Sequence, residues 1–198
     1  MTARFWTSDP HLGHRKVSEI RGFETTDEHD AAIQSAWRRQ VKPDDEVFVL
    51  GDLSSGFGEA RALAIIADLP GRKHLVAGNH DSVSSSHRDG YKHQKAFLEV
   101  FESVQQFARV RVRGRDALMS HYPYASQGDG PGRGSPRHLQ FRLPDLGELL
   151  IHGHTHHSDP FSGSTTGREM CVSWDAWGCL VGQKDVDDWV KSLESENA

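Results

Sequence analysis

Short apolar runs that stop at glycine and hand over to metal-capable polar residues recur along this chain, and they constrain its fold most. Residues 47–50 run into Gly51-Asp52, residues 74–77 into Gly78-Asn79-His80-Asp81, and residues 149–152 into Gly153-His154-Thr155-His156. A continuous apolar run bounded by turn residues suits a strand buried on both faces. Helical patterns stand between the runs. Thr25 with Glu28 three residues on is a capping-box signature, and Ile33, Trp37 and Val41 follow at four-residue spacing, ending near Pro43. Leu63, Ile66 and Leu69 mark a second helix, closed by Pro70-Gly71. Phe97, Leu98, Phe101 and Val104 mark a third, and Val186, Trp189, Val190 and Leu193 a last.

Residues 4–8 read as an opening strand that ends at Asp9, and residues 170–174 as a late one. Residues 109–113 alternate arginine with valine, which predicts a half-exposed strand that turns at Gly114 into a hairpin partner over 117–120. Residues 127–137 hold four glycines and two prolines and read as a loop. A βαβ-like first half and a hairpin-bearing second half make a mixed α/β (α+β) domain spanning residues 1–198.

Composition narrows the class. With 198 residues, 36% hydrophobic and 26% charged, the chain can bury a core without disulfides. Its two cysteines cannot build a disulfide framework or a four-cysteine zinc site, so a reducing compartment is expected. The longest apolar run, 62–67, is too short to span a bilayer, and the first residues lack a signal-like stretch; a cytoplasmic location is expected. The net charge of −5 argues against stable binding to duplex DNA. Thirteen histidines with almost no cysteine invite a search for metal ligands.

Five segments carry that search: Asp9-Pro10-His11, Gly51-Asp52, Gly78-Asn79-His80-Asp81, Ser120-His121-Tyr122 and Gly153-His154-Thr155-His156. Each lies where a strand runs out, and ligands of open α/β sheets gather at the carboxyl ends of strands. Residues two apart in extended chain face one way, so Asp9 can join His11, and His154 can join His156. Carboxylates, imidazoles and a carboxamide without thiolate suit Mn, Fe, Zn or Ni. Seven candidates exceed what one tetrahedral ion needs; two ions sharing a bridging carboxylate would use all seven.

In this order, the five segments resemble the calcineurin-like metallophosphoesterase superfamily, over Asp9 to His156. Ser8 through His14 and His121-Tyr122-Pro123 look most like its small bacterial and phage-encoded members, and residues 172–176 resemble their terminal strand. The resemblance implies a four-layer αββα sandwich of two mixed sheets flanked by helices, with the site at the sheet edges. It places Asp9, His11 and His156 on one divalent ion, Asn79, His121 and His154 on a second, and Asp52 between them. Mn2+ is foremost, with Fe, Zn, Ni or Co as alternatives. His80 becomes the general acid and Asp81 the group orienting its ring, while a hydroxide shared by the ions attacks phosphorus.

Substrate contacts are expected from His14, Tyr122, Arg133, Arg137 and His138. His152 reads as packed or bracing, His157 as loop, and His29, His74, His87 and His93 as surface. Arg109, Arg111, Arg113 and Arg115 read as a solvated strand face. The expected substrate is a small phosphodiester such as a cyclic nucleotide, 2′,3′ or 3′,5′. A phosphomonoesterase or nuclease with the same ligands is the alternative, and a non-catalytic scaffold on this fold a more distant one.

Overall fold

The computed structural model of the protein describes residues 2–56, 58–133 and 135–196, the side chain of Glu196 excepted. Two sheets carry it. The first is ordered β4 (Ser103–Gln105), β3 (Arg72–Val76), β2 (Glu46–Val49), β1 (Arg4–Thr7), β9 (Val181–Gly182). Its first four strands run parallel and β9 antiparallel to β1. The second is ordered β5 (Phe107–Val112), β6 (Arg115–Ser120), β7 (Leu149–His152), β8 (Glu169–Cys171). There β5 and β6 form the expected hairpin, and β6, β7 and β8 are parallel.

The first sheet is buried on both faces, which explains its continuous apolar runs. Val47, Val49 and Leu75 pack with Ile33 and Trp37 of α2 (Thr26–Gln40), Ile66 of α3 (Glu59–Ala67) and Phe97 of α4 (Gln94–Leu98). From its other face Trp6 and Val76 meet Val110, Ala117, Met119, Ile151 and Met170 of the second sheet. The Trp6 indole N–H reaches Met119 Sδ at 3.3 Å across that interface. Val186, Trp189 and Val190 of α6 (Gln183–Glu196) join the same core. Two mixed sheets with flanking helices are thus the architecture observed.

Local signals worked where they were self-contained. Thr25 and Glu28 make the reciprocal capping box of α2. Arg113 and Gly114 both take positive φ, +47° and +78°, as a two-residue hairpin turn demands. Tertiary pairing overrode the pattern elsewhere. The third predicted helix ends at Leu98, because residues 103–105 are drawn out as β4 beside β3. Trp174 opens the short helix α5 (Trp174–Trp177) instead of closing a strand. Neither α1 (Arg15–Ile20) nor β9 is marked by any periodicity in the chain.

What matters for the site is which ends converge. β1, β2 and β3 of one sheet and β6 and β7 of the other all release their chains toward one edge. There Ser8 bridges Ser173 in parallel, and the Trp174 N–H donates to Ser8 O at 3.0 Å.

Candidate metal centre

Each candidate segment is a strand exit that bends at once. The Asp9 N–H donates to Gly51 O, His11 to Asp52 O and Gly153 to His121 O, at 3.0–3.1 Å, lacing the exits of β1, β2, β6 and β7 together. The bends need unusual backbone. Asp9, His11, Asp52, His154 and His156 all have φ between +46° and +69°, a region side-chain-bearing residues rarely occupy. Strained backbone of this kind collects at functional sites. Two glycines let the exits touch: a Cβ on Gly78 would lie 2.3 Å from Asp52 Oδ1, and one on Gly153 would lie 1.7 Å from Ser8 Oγ.

Two groups of donors result, Asp9 with His11 and His156, and Asp52 with His121 and His154, the donor atoms of each lying within 4.8 Å of one another. In the first group His11 Nε2 and His156 Nε2 stand 3.2 Å apart, with Asp9 Oδ1 at 3.8 and 3.6 Å. In the second, His121 Nε2 lies 3.2 Å from His154 Nδ1, 3.2 Å from Asn79 Oδ1 and 3.5 Å from Asp52 Oδ2. Asp52 Oδ2 is also 3.9 Å from His11 Nε2, so one oxygen faces both groups. Its other oxygen accepts from the His80 N–H at 2.8 Å.

The donors fit divalent ions. Ligands on bonds of about 2.1 Å stand about 3.0–3.4 Å apart in a coordination shell, close to the nitrogen spacings here. Asp9 Oδ1 is fully buried with no hydrogen-bond partner, a costly state for a carboxylate oxygen unless a cation meets it. Electrostatics agree. Burial would raise Asp52, but the neighbouring His121 holds it well below the usual carboxylate range. Burial alone would lower His121; Asp52 overrides it and lifts the imidazole to about 9. The pull on His121 marks a pocket that demands positive charge, which a cation at Nε2 would supply in place of a proton. Burial keeps His11 and His154 well below the ordinary histidine value, so both offer lone pairs.

Residues behind the donors aim them. Asp175 Oδ2 accepts from His156 Nδ1 at 2.8 Å, and both Asp175 oxygens bind Arg21, at 2.7 and 3.1 Å. Arg21 also donates to the carbonyls of Asp9 and Pro10. Leu50 O, 2.7 Å from His121 Nδ1, turns Nε2 inward. Sequence reading missed Arg21, Asp129 and Arg142 because each acts through partners distant in the chain.

Several expectations need correction. Asp81 does not orient the His80 ring: its oxygens accept the N–H groups of Gly78, Asp52 and Leu53 at 2.8–3.0 Å, pinning the exits of β2 and β3. Burial and the nearby Asp52 push its carboxyl up to about 7. His29 is buried, not at the surface, between Arg21 and Asp30. His74 is half-buried against Phe48 and Ser103. His14 caps α1 through Nδ1, which accepts from the Val17 N–H, and its ring edges onto His11. Arg133 is exposed and contributes a backbone bond to Gly130. Arg137 is held by Asp129 rather than directed at the donors. His80 is exposed, its ring centroid 5.6 Å from that of His11. Tyr122 packs on His121 and His154, and His138 stacks on Tyr122. His152 is buried, and burial lowers it to about 4, so it is packed as expected.

With this geometry, the chain belongs to the calcineurin-like phosphoesterase superfamily, whose domain model matches residues 23–168. Members are metal-dependent phosphoester hydrolases, typically with two ions. Asp9 and His11 lie ahead of the matched span, yet they complete the first donor group. Its relatives include the gene 66 protein of Mycobacterium phage L5, 41% identical over 206 residues, covering 99% of this chain and 98% of that protein. The gene 66 protein of Mycobacterium phage D29 is 37% identical over 201 residues, covering 98% of each. A solved structure of a protein of unknown function from Aquifex aeolicus has the same fold, with a TM-score of 0.68 at 24% identity, covering 95% of this chain and 99% of that one. Among the described residues no helix is long and apolar enough to cross a membrane.

Proposed function

We propose that the protein hydrolyses small phosphodiesters, cyclic nucleotides foremost, at a centre of two divalent ions. The observation that carries this reading is Asp52 Oδ2, one carboxylate oxygen facing both donor groups. Asp9, His11 and His156 would hold one ion, Asn79, His121 and His154 the other, with Asp52 shared. When bound, such a pair supplies positive charge for the phosphoryl oxygens and a nucleophile at neutral pH.

The chain's own residues do the rest. His80 is tied by its backbone to Asp52 Oδ1, while its exposed ring leans toward His11, so it stands at the mouth of the site. There it donates a proton to the departing oxygen and recovers one from solvent. Tyr122 and His138 wall the opposite side. A small substrate is favoured because the arginines near the site are already paired: Arg21 with Asp175, and Arg137 and Arg142 with Asp129. Among the described residues, these pairs leave no run of free arginines behind the donors for a long polyanion to track.

The test is turnover of metal-defined protein on 2′,3′- and 3′,5′-cyclic nucleotides, nucleoside monophosphates, bis-p-nitrophenyl phosphate and single-stranded DNA. Hydrolysis of diesters, fastest with a cyclic nucleotide, is expected with Mn2+. Preference for monoesters or DNA refutes the substrate class, and inactivity with every divalent metal refutes the enzyme.

A further inference from the structure

The glycine- and proline-rich loop that follows Tyr124 does not hang free of the site. Asp129, in its middle, is buried and faces His154, with Oδ1 3.5 Å from His154 Nε2. That imidazole nitrogen is itself buried and has no hydrogen-bond partner. The other ring nitrogen, Nδ1, points the opposite way, 3.2 Å from His121 Nε2 and thus toward the second donor group. Asp129 is held in place from behind. Arg142, its side chain fully buried, pairs with Asp129 Oδ1 and donates to Gln127 O at 2.8 Å. Arg137 donates to Asp129 through its backbone N–H at 3.2 Å and its Nε at 2.6 Å. The loop also abuts the ligand segment directly: a Cβ on Gly130 would sit 1.9 Å from Thr155 O.

We infer that Asp129 is a positioning residue for the second metal ion, orienting His154 through Nε2 so that Nδ1 is the ligating atom. This rests on the dinuclear reading above. A carboxylate behind a metal-bound imidazole selects the tautomer and makes the ring a better donor, and losing one typically costs about 10–100-fold in metal affinity. The same relation holds on the other side of the centre, where Asp175 stands behind His156 with the nitrogens exchanged. Arg137 and Arg142 accordingly serve Asp129 and not the substrate.

Two measurements test this. The first titrates metal-free wild type and Asp129→Asn with Mn2+ by calorimetry, with Asp129→Glu as the conservative rescue. Two ions on wild type, a second site about 10–100-fold weaker in Asp129→Asn, and partial recovery in Asp129→Glu are expected. Equal affinities in wild type and Asp129→Asn overturn the inference and leave the dinuclear reading standing. A wild type that takes up no ion overturns both. The second measurement needs no variant: long-range 1H–15N spectra of the zinc-loaded wild type should show His154 protonated at Nε2. Protonation at Nδ1 overturns the inference, whether or not the Asp129 variants fold.

Discussion

Replacing Asp175 with asparagine tests how the first donor group is held. The carboxylate accepts three charge-assisted bonds, two from Arg21 at 2.7 and 3.1 Å and one from His156 Nδ1 at 2.8 Å. An amide has one acceptor and one donor in the same space. Its better orientation keeps oxygen on Arg21 Nη2 and His156, and turns the NH2 against Arg21 Nε. One buried donor then loses its partner, which costs about 1–3 kcal/mol. Arg21, nearly inaccessible, also loses its counter-charge while still holding the Asp9 and Pro10 carbonyls. The disturbance therefore reaches both Asp9 and His156. Removing a carboxylate behind a metal-bound histidine is expected to weaken the first ion by about 10–100-fold, or about 1.4–2.7 kcal/mol. Calorimetric titration reads the affinity, and melting of metal-free protein reads the structural share, at about 2–4 °C per kcal/mol for a chain of this size. Unchanged affinity together with an unchanged Tm would refute the bracket of Arg21, Asp175 and His156.

Other expectations follow from single features. His80→Gln should retain both ions and lose about 100-fold or more in turnover of substrates with poor leaving groups; equal turnover of wild type and variant on a cyclic nucleotide would remove His80 from the chemistry. Gly153→Ala drives a methyl into Ser8 and Asp9 and should cost about 1–3 kcal/mol or more along with metal uptake, read by denaturant melts and metal analysis. Met119→Ala opens a hole between the sheets under Trp6 and should cost about 2–5 kcal/mol with two ions still bound. Burial, aided by Asp145 against the Tyr124 N–H, raises Glu169, so its ionised form works against folding. Stability tied to its neutral form is present at low pH and lost as pH rises through the folded value. Glu169→Gln should thus raise Tm at neutral pH but not near pH 4, and a gain independent of pH would contradict the assignment.

The donors were legible in the sequence because each is fixed by its own short segment. A buried strand that ends in glycine can only release its chain at a sheet edge, and Asp52, Asn79 and His154 follow such glycines directly. Periodicity likewise located α2, α3 and the hairpin, whose determinants lie within a few residues. Neighbours in sequence misled where the backbone turned between them: Asp81 adjoins His80, yet its carboxylate faces back to the amides of Gly78, Asp52 and Leu53. No local signal marks His29 as buried, because the cation that meets it, Arg21, comes from the end of a different helix.

What the sequence determined by itself is therefore the mixed α/β class, the strand exits and the kinds of donor at them. The family resemblance those segments carry already implied two donor groups with Asp52 between them; only the tertiary structure set their spacing and showed Arg21, Asp175, Asp129 and Arg142 standing behind them. The physical reason is range. Glycine, strand burial and donor chemistry act over a few residues, whereas Arg21 meets Asp175 across 154 positions of chain. Contacts of that separation exist only after the two sheets have packed through Trp6 and Met119.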